Sequence, residues 1–253
     1  MLKSAGEIIS NSFHLYIKNW RALVPYLGLL FLPTVALSLL GIISLYLEVI
    51  VPKSSLPTNL LITVVGVATI VLNIWTTIAM AKALSGLLSG QTTNWRENFS
   101  LSSPLIWPFI YTSLLSGLII IGGFLLLLIP GIIFTVWYSF YVYVMIFENQ
   151  KGMAALKTSK SLVLGRWWSI AWKIVAPNVI FGAINLALFY VLASLVDLLP
   201  LTEFLKGGVA SVVTSLGTVL VAPLSTAAML ILYYSAKQNP VSALPSTPPS
   251  QQM

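Results

Sequence analysis

The chain has 253 residues, 58% of them hydrophobic and 8% charged, and 13 Lys and Arg against 6 Asp and Glu leave a net charge of +7. Soluble domains carry about 25% charged residues, so a water-facing surface cannot be built from this composition and lipid must solvate much of the chain. The absence of cysteine excludes disulfides, thiolate metal sites and a cysteine nucleophile, and in an apolar chain the basic excess reads as membrane topology and attraction to anionic headgroups, not nucleic-acid binding.

Residues 2–21 are too polar for a signal-peptide core. Ile9, Phe13, Tyr16, Ile17 and Trp20 recur at helical spacing opposite Lys3, Glu7, Ser10, Asn11, His14, Lys18 and Arg21, which predicts an amphipathic helix in the headgroup plane. Apolar runs at about 22–47 and 60–82 predict the first two membrane spans, since about 20 residues cross the ~30 Å hydrocarbon core. A polar segment follows at 89–104. Leu105 to Phe147 are then 43 residues without a charge, interrupted by Pro130-Gly131. One helix of that length would reach about 65 Å, twice the hydrocarbon core. A strand pair would leave its edges unsatisfied in lipid. Two spans at about 105–129 and 131–147 remain, with Pro130 and Gly131 as the structural turn and a re-entrant hairpin as the alternative. Residues 150–166 predict a second basic interfacial helix, about 169–196 and 207–234 the last two spans, and the Pro- and Ser-rich residues 237–253 a disordered tail. The fold class is thus an all-α integral membrane protein, a single domain over 1–236 with about six transmembrane helices and two interfacial amphipathic helices.

Charge placement orients this threading. With the N-terminus in the cytoplasm, eleven Lys and Arg lie inside and only Lys53 and Lys206 outside, the bias of a multi-pass plasma (inner) membrane protein with both termini cytoplasmic. A faint repeat at an offset of 147 aligns Ser12, Leu15 and Trp20 with Ser159, Leu162 and Trp167; each copy is a basic helix leading into an outward span.

Catalytic groups are scarce. The only histidine, His14, lies on a polar face, and none of the six acidic residues falls at the centre of a span or forms a close sequence pair. No P-loop, H-E-x-x-H or G-x-S-x-G motif is present. The reading is therefore of no enzyme, no cofactor and no metal. Asn73, Asn178 and Asn185 are the candidate polar contacts within the membrane; side chains of this kind bond across helices or line a polar cavity. Lys3, Lys18, Arg21, Lys157, Lys160 and Arg166 are the candidate contacts to lipid headgroups.

Two segments, IPGIIFTVWYSFYVYVMIFENQKGMAALKTSKSLVLGRWW at 129–168 and PLSTAAMLILYYSAK at 223–237, resemble the family of membrane domains found beside bacterial glycerophosphoryl diester phosphodiesterases and the related YciC-like inner-membrane proteins. The resemblance is carried by Ile129–Ile132, Glu148, Gly152 to Ser159, Pro223 and the pair Tyr233-Tyr234. One departure is that Ser235-Ala236-Lys237 stand where the family often has an acidic and then a basic residue. The resemblance implies a membrane-embedded, non-catalytic module, since a catalytic barrel needs about 250 residues of its own. The function expected is action through lipid or protein contacts in the bilayer, with anionic lipids at the cytoplasmic face and a membrane-protein partner or second copy of the chain as partners; the alternative is a transporter or channel for a small solute or lipid.

The threading has a direct test. Single cysteines at 131 or 55 react with an impermeant thiol reagent in intact cells, and those at 151 or 245 do not. Reaction at 151 with protection at 131 and 55 reverses the orientation.

Overall fold

In this computed structural model the described residues are 2–50 and 55–240. They form ten α-helices: α1 (Ala5–Lys18), α2 (Trp20–Ile50), α3 (Ser55–Leu88), α4 (Trp95–Ser102), α5 (Ile106–Leu126), α6 (Leu128–Trp137), α7 (Tyr141–Glu148), α8 (Met153–Val163), α9 (Trp167–Asp197) and α10 (Glu203–Gln238). Six stretches are long and apolar enough to cross a membrane: Trp20–Gly41, Asn59–Leu88, Trp95–Leu126, Leu128–Glu148, Trp167–Asp197 and Leu205–Gln238. The all-α membrane architecture expected from composition is the one observed.

The long helices exceed what a bilayer requires. α3 has 34 residues and α10 has 36, about 50 Å each at 1.5 Å per residue, against a ~30 Å hydrocarbon core. The surplus is used at one end. There α10 packs against α9, α2, α1, α3 and α8, and its residues Val219, Val221, Leu224, Ala227, Ala228, Leu230–Tyr233 and Ala236 are buried. At the other end the helices carry exposed apolar side chains, among them Leu39, Ile43, Leu60, Val64, Val67, Phe189 and Val191, as lipid-facing positions do.

The short helices wrap the buried end. Ser4 caps α1 by a reciprocal pair: its hydroxyl accepts from Glu7 N–H at 3.2 Å, and the Glu7 carboxylate accepts from Ser4 N–H at 2.6 Å. These bonds from the backbone and hydroxyl of Ser4 hold the Glu7 carboxyl below its ordinary value, so the cap is at full strength above the usual carboxylate range and fades as pH falls through the lowered value. The helix buries Ile8, Ser12 and Leu15, while Ile17 and Trp20 are exposed. The buried stripe is therefore rotated from the predicted Ile9–Phe13–Ile17 face. The reason is that protein covers it: α1 lies on α10 and α9, with Phe13 edge-on to Phe181 at 5.6 Å. The predicted helix of residues 2–21 also ends earlier, because the Asn19 amide bonds back to Leu15 O at 2.9 Å and Trp20 already begins α2.

α4 is an element that the polar composition of 89–104 concealed. Asn94 caps it by accepting from Arg96 N–H, and Phe99 sits among Tyr26, Trp75 and Trp95. The Trp75 indole donates to Phe99 O at 2.8 Å and Lys82 Nζ to Leu101 O at 2.7 Å, fastening α4 along α3. α10, the sixth span, runs through Gln238, beyond the predicted boundary at 237; residues 241–253 of the expected tail lie outside the described residues.

The predicted turn is displaced. The chain breaks at Leu127, whose extended backbone (φ −163°, ψ 152°) separates α5 from α6. Pro130 and Gly131 lie within α6, in its first turns. Proline is tolerated there because first-turn N–H groups have no helical partner to lose. The role of the glycine is close approach. A Cβ on Gly131 would collide with the Phe124 ring, and one on Gly123 would stand 2.7 Å from Phe134 Cδ2 and 3.1 Å from Gly131 Cα. Two glycines thus face each other where α5 crosses α6, as small residues do at membrane helix interfaces. Gly131 is buried, a side chain there would collide with the Phe124 ring, and Ile133 O lies 3.4 Å from the Trp167 indole at the start of α9, so position 131 is not a usable outward label and the threading test rests on position 55.

Gly123→Ala tests the crossing. The backbone at Gly131 cannot move aside as a side-chain tip would, so the helices must separate by a few tenths of an ångström. Thermal unfolding in detergent is expected to show a loss of about 1–3 kcal/mol, while Gly122→Ala, where a Cβ meets open space, is near neutral.

Candidate functional site

Two polar clusters occupy the buried end of the bundle. The first is built on the last turns of α10. Tyr233 is fully buried and ringed by Phe140, Tyr143 and Phe147 at centroid distances of 6.1, 5.7 and 6.2 Å. Its hydroxyl donates to Glu148 Oε1 at 2.7 Å, and Lys237 Nζ reaches the same oxygen at 3.0 Å. The Tyr234 and Ser85 hydroxyls share a 2.6 Å bond between α10 and α3. Ser235 Oγ accepts from Lys3 N–H at 2.9 Å. Arg166 donates from Nη2 to Ala236 O at 2.7 Å, from Nη1 to Asn239 O, and from Nε to Leu162 O at 2.9 Å. A guanidinium on the final carbonyls of a helix satisfies acceptors that have no helical donor and opposes the negative end of its dipole. Residues 233 to 239, the end of α10 and its cap, therefore hold α7, α3, the N-terminal segment and the α8–α9 elbow together.

A related bond repairs the break between α6 and α7. Ser159 of α8, fully buried, accepts from Phe140 N–H at 3.0 Å and donates to Trp137 O at 2.8 Å. Its counterpart under the 147-residue offset, Ser12, is also fully buried. Gly152 N–H donates to Thr112 Oγ1 at 2.8 Å, tying the start of α8 to α5. The motif residues Glu148, Gly152, Ser159, Tyr233 and Tyr234 thus all make bonds between elements.

The second cluster is a cleft of about 680 Å³ beneath α1. Asn11, His14, Leu15 and Lys18 of α1 form one wall, with Asn19 and Ala22 beyond them. Leu87 and Leu88 of α3 and Ile231 of α10 form the floor. Gly90, Gln91, Thr92 and Thr93, from the segment after α3, and Lys3 complete the lining. Gly90 ends α3 with φ 73°, a conformation that suits glycine, and sends the chain across the mouth. The cleft offers two ammonium groups, one imidazole, three amides and two hydroxyls, and no carboxylate lines it. A concave surface with that set of donors and no acid is matched to an anion that also accepts hydrogen bonds. Its volume lies within the roughly 300–1,000 Å³ of small-molecule clefts.

The residues singled out from sequence are not brought to one place. Lys3 and Lys18 line the cleft. Arg21 stacks on the neighbouring Trp20 ring at 5.7 Å. Lys160 lies over the Trp137 ring at 3.9 Å, Lys157 is exposed, and Arg166 is engaged with α10. Asn178 is exposed and turns its amide to Ile174 O of its own helix at 2.7 Å. Asn185 reaches Thr218 Oγ1 of α10 at 3.5 Å, the outer limit of a bond. Asn73 is half-buried on α3. None of the three lines the cleft. His14, Asn11 and Gln91–Thr93 had no sequence signal as a ligand site: the polar face predicted for α1 also carries Glu7, and nothing in the sequence brings residues 91–93 to it. Glu7, Glu97, Glu148 and Asp197 stand on different helices, and no three His, Asp or Glu side chains gather among the described residues.

Comparison with family models, with curated proteins and with solved structures found no match.

Tyr233→Phe tests the lock on α10. It removes the hydroxyl and leaves Glu148, whose side chain is only 18% exposed, with Lys237 alone. A bond to a charged group contributes about 1.5–3 kcal/mol, and thermal unfolding is expected to show a loss of that size. Tyr234→Phe, which breaks a neutral hydroxyl pair, is expected to cost about 1 kcal/mol.

Proposed function

We propose that this chain is a non-catalytic, multi-pass protein of the plasma (inner) membrane, both termini cytoplasmic, that holds the phosphate-bearing headgroup of an anionic lipid in the cleft beneath α1. The observation that carries this reading is the lining of the cleft: Lys3, Lys18 and His14 beside amides and hydroxyls, with no carboxylate, above an apolar floor. The charge bias supports the orientation, because the cleft lies among segments that the eleven-to-two distribution of basic residues assigns to the cytoplasm. In that leaflet anionic lipids are attracted at about 1 kcal/mol per nearby basic residue. The resemblance of residues 129–168 and 223–237 to the membrane domains that accompany glycerophosphodiester phosphodiesterases agrees with a lipid-facing role, and the motif residues act in this reading as the locks that shape the end of the bundle bearing the cleft. A transporter would use the intramembrane amides as a pathway. None of Asn73, Asn178 and Asn185 lines the cleft, which favours the lipid-contact reading.

Calorimetric titration of the purified protein in a neutral detergent with a short-chain phosphatidate tests this. Binding is expected to weaken about five-fold for each of Lys3→Gln and Lys18→Gln, the equivalent of about 1 kcal/mol, and to fall as salt rises. A short-chain phosphatidylcholine is not expected to bind measurably. Equal binding of the neutral lipid, or of phosphatidate to the double variant, overturns the reading; saturable binding of inorganic phosphate with affinity equal to phosphatidate moves the transport of a small anion ahead of it.

A further inference from the structure

A second concavity shares no lining residue with the cleft. It measures about 590 Å³ and runs between α6 and the elbow that joins α8 to α9. Ile129, Ile132, Ile133 and Trp137 of α6 form one side, and Leu164 and Trp168 the other. The Trp167 indole N–H points to Ile133 O at 3.4 Å, which fastens the two sides together at the base. The outer parts are open: Ile129 is 69% exposed and Trp168 82%. Apart from backbone, the lining is hydrocarbon and indole.

The surroundings specify the occupant. The groove opens beside α9, whose outward side chains Trp172, Val175, Val179 and Leu186 are exposed and apolar, on a helix long and apolar enough to cross a membrane. A dry groove on such a surface meets acyl chains before any other partner. Its rim is basic. Lys157 and Lys160 are three residues apart on α8, so they stand on one face of that helix, and Leu164, which caps its C-terminus, is itself part of the groove. Lys160 lies over the ring of Trp137, another lining residue, at 3.9 Å, and Lys157 is exposed. An apolar slot leading to two ammonium groups is complementary to a hydrocarbon chain that ends in a phosphate. Indole at that junction suits the headgroup boundary, where tryptophan is enriched.

We propose that this groove is a binding site for one acyl chain of an anionic phospholipid, its phosphate held by Lys160. Trp137 is the joint of the site: one face of the contact is apolar lining, and its ring positions the ammonium by a cation–π contact. Because the two concavities share no residue, this site stands whether or not the cleft beneath α1 takes a headgroup.

The test uses the full chain in phosphatidylcholine nanodiscs containing a small fraction of phosphatidylglycerol with a photoactivatable diazirine in one acyl chain. Adducts are mapped by mass spectrometry after irradiation. They are expected to concentrate on residues 129–137 and 164–168. Ile132→Trp or Leu164→Trp, each filling the groove from a partly exposed position, is expected to abolish them there. Lys160→Gln is expected to reduce capture about five-fold, to the level of the matching phosphatidylcholine probe, without moving the adducts. Adducts spread evenly along the outer face of α9, or capture unchanged in both tryptophan variants, would overturn the acyl-chain site. Unchanged capture in Lys160→Gln overturns the assignment of the phosphate. Glycerol phosphate added in solution is expected not to compete; competition by it would show that a free phosphate is the recognised ligand and sink the proposal.

Discussion

The arrangement depends on one short segment, residues 233–239 at the end of α10. A helix that leaves the hydrocarbon would ordinarily fray, because its last carbonyls have no donors. Here Arg166 supplies donors to Ala236 O and Asn239 O, and Lys237 is paired with Glu148. Tyr233, Tyr234 and Ser235 point in different directions around the helix and bond to α7, α3 and the N-terminal segment. In lipid, helix association has little hydrophobic driving force, and packing and interhelical hydrogen bonds take its place. Concentrating those bonds at one end allows the other end to remain a row of lipid-exposed helices without losing the register of the whole.

That concentration also creates the concave surfaces. The helices are longer than the hydrocarbon core, and the surplus turns are clad by α1, α4 and α8 instead of by lipid. Cladding with separate short helices leaves seams. One seam, between α1 and the loop after α3, is polar and basic, with Lys3, His14 and Lys18 and no carboxylate in its lining. The other, between α6 and the α8–α9 elbow, is apolar with a basic rim. The two seams share no lining residue and differ in chemistry, one polar and basic, the other hydrocarbon and indole.

Much of the fold could be read from the sequence, since apolar runs such as 60–82 and 169–196 are long enough to cross a bilayer and carry one charged residue each. Details set by tertiary contacts could not. The break at Leu127 sits in FLLLLI, where nothing local separates one leucine from the next; the crossing of Gly123 with Gly131 fixes it. α1 turns Ser12 inward because α10 and α9 cover that side of the helix, whereas periodicity alone favoured the aromatic face. α4 was hidden by its polarity, although Asn94 before Trp95 and Phe99 was a usable capping signal. The Tyr pair and Glu148 stood out as motif residues, yet their partners lie 85 and 149 positions away, which no local pattern reveals. Among the candidate site residues, Lys3 and Lys18 came from the charge pattern of α1, while His14, Asn11 and Gln91–Thr93 required the fold.

The central claim is that α1 and α8 are docked on α10 as parts of one folded end and do not float independently in the headgroup layer. The chain has no native cysteine, so spin labels can be placed at Ser10 of α1 and Ser161 of α8, both exposed, without removing any other residue. Pulsed electron–electron resonance on the doubly labelled protein in nanodiscs should give a single narrow distance distribution, broadened when Tyr233→Phe and Arg166→Gln are combined. A broad distribution in the otherwise unchanged chain, insensitive to those two substitutions, would contradict the account.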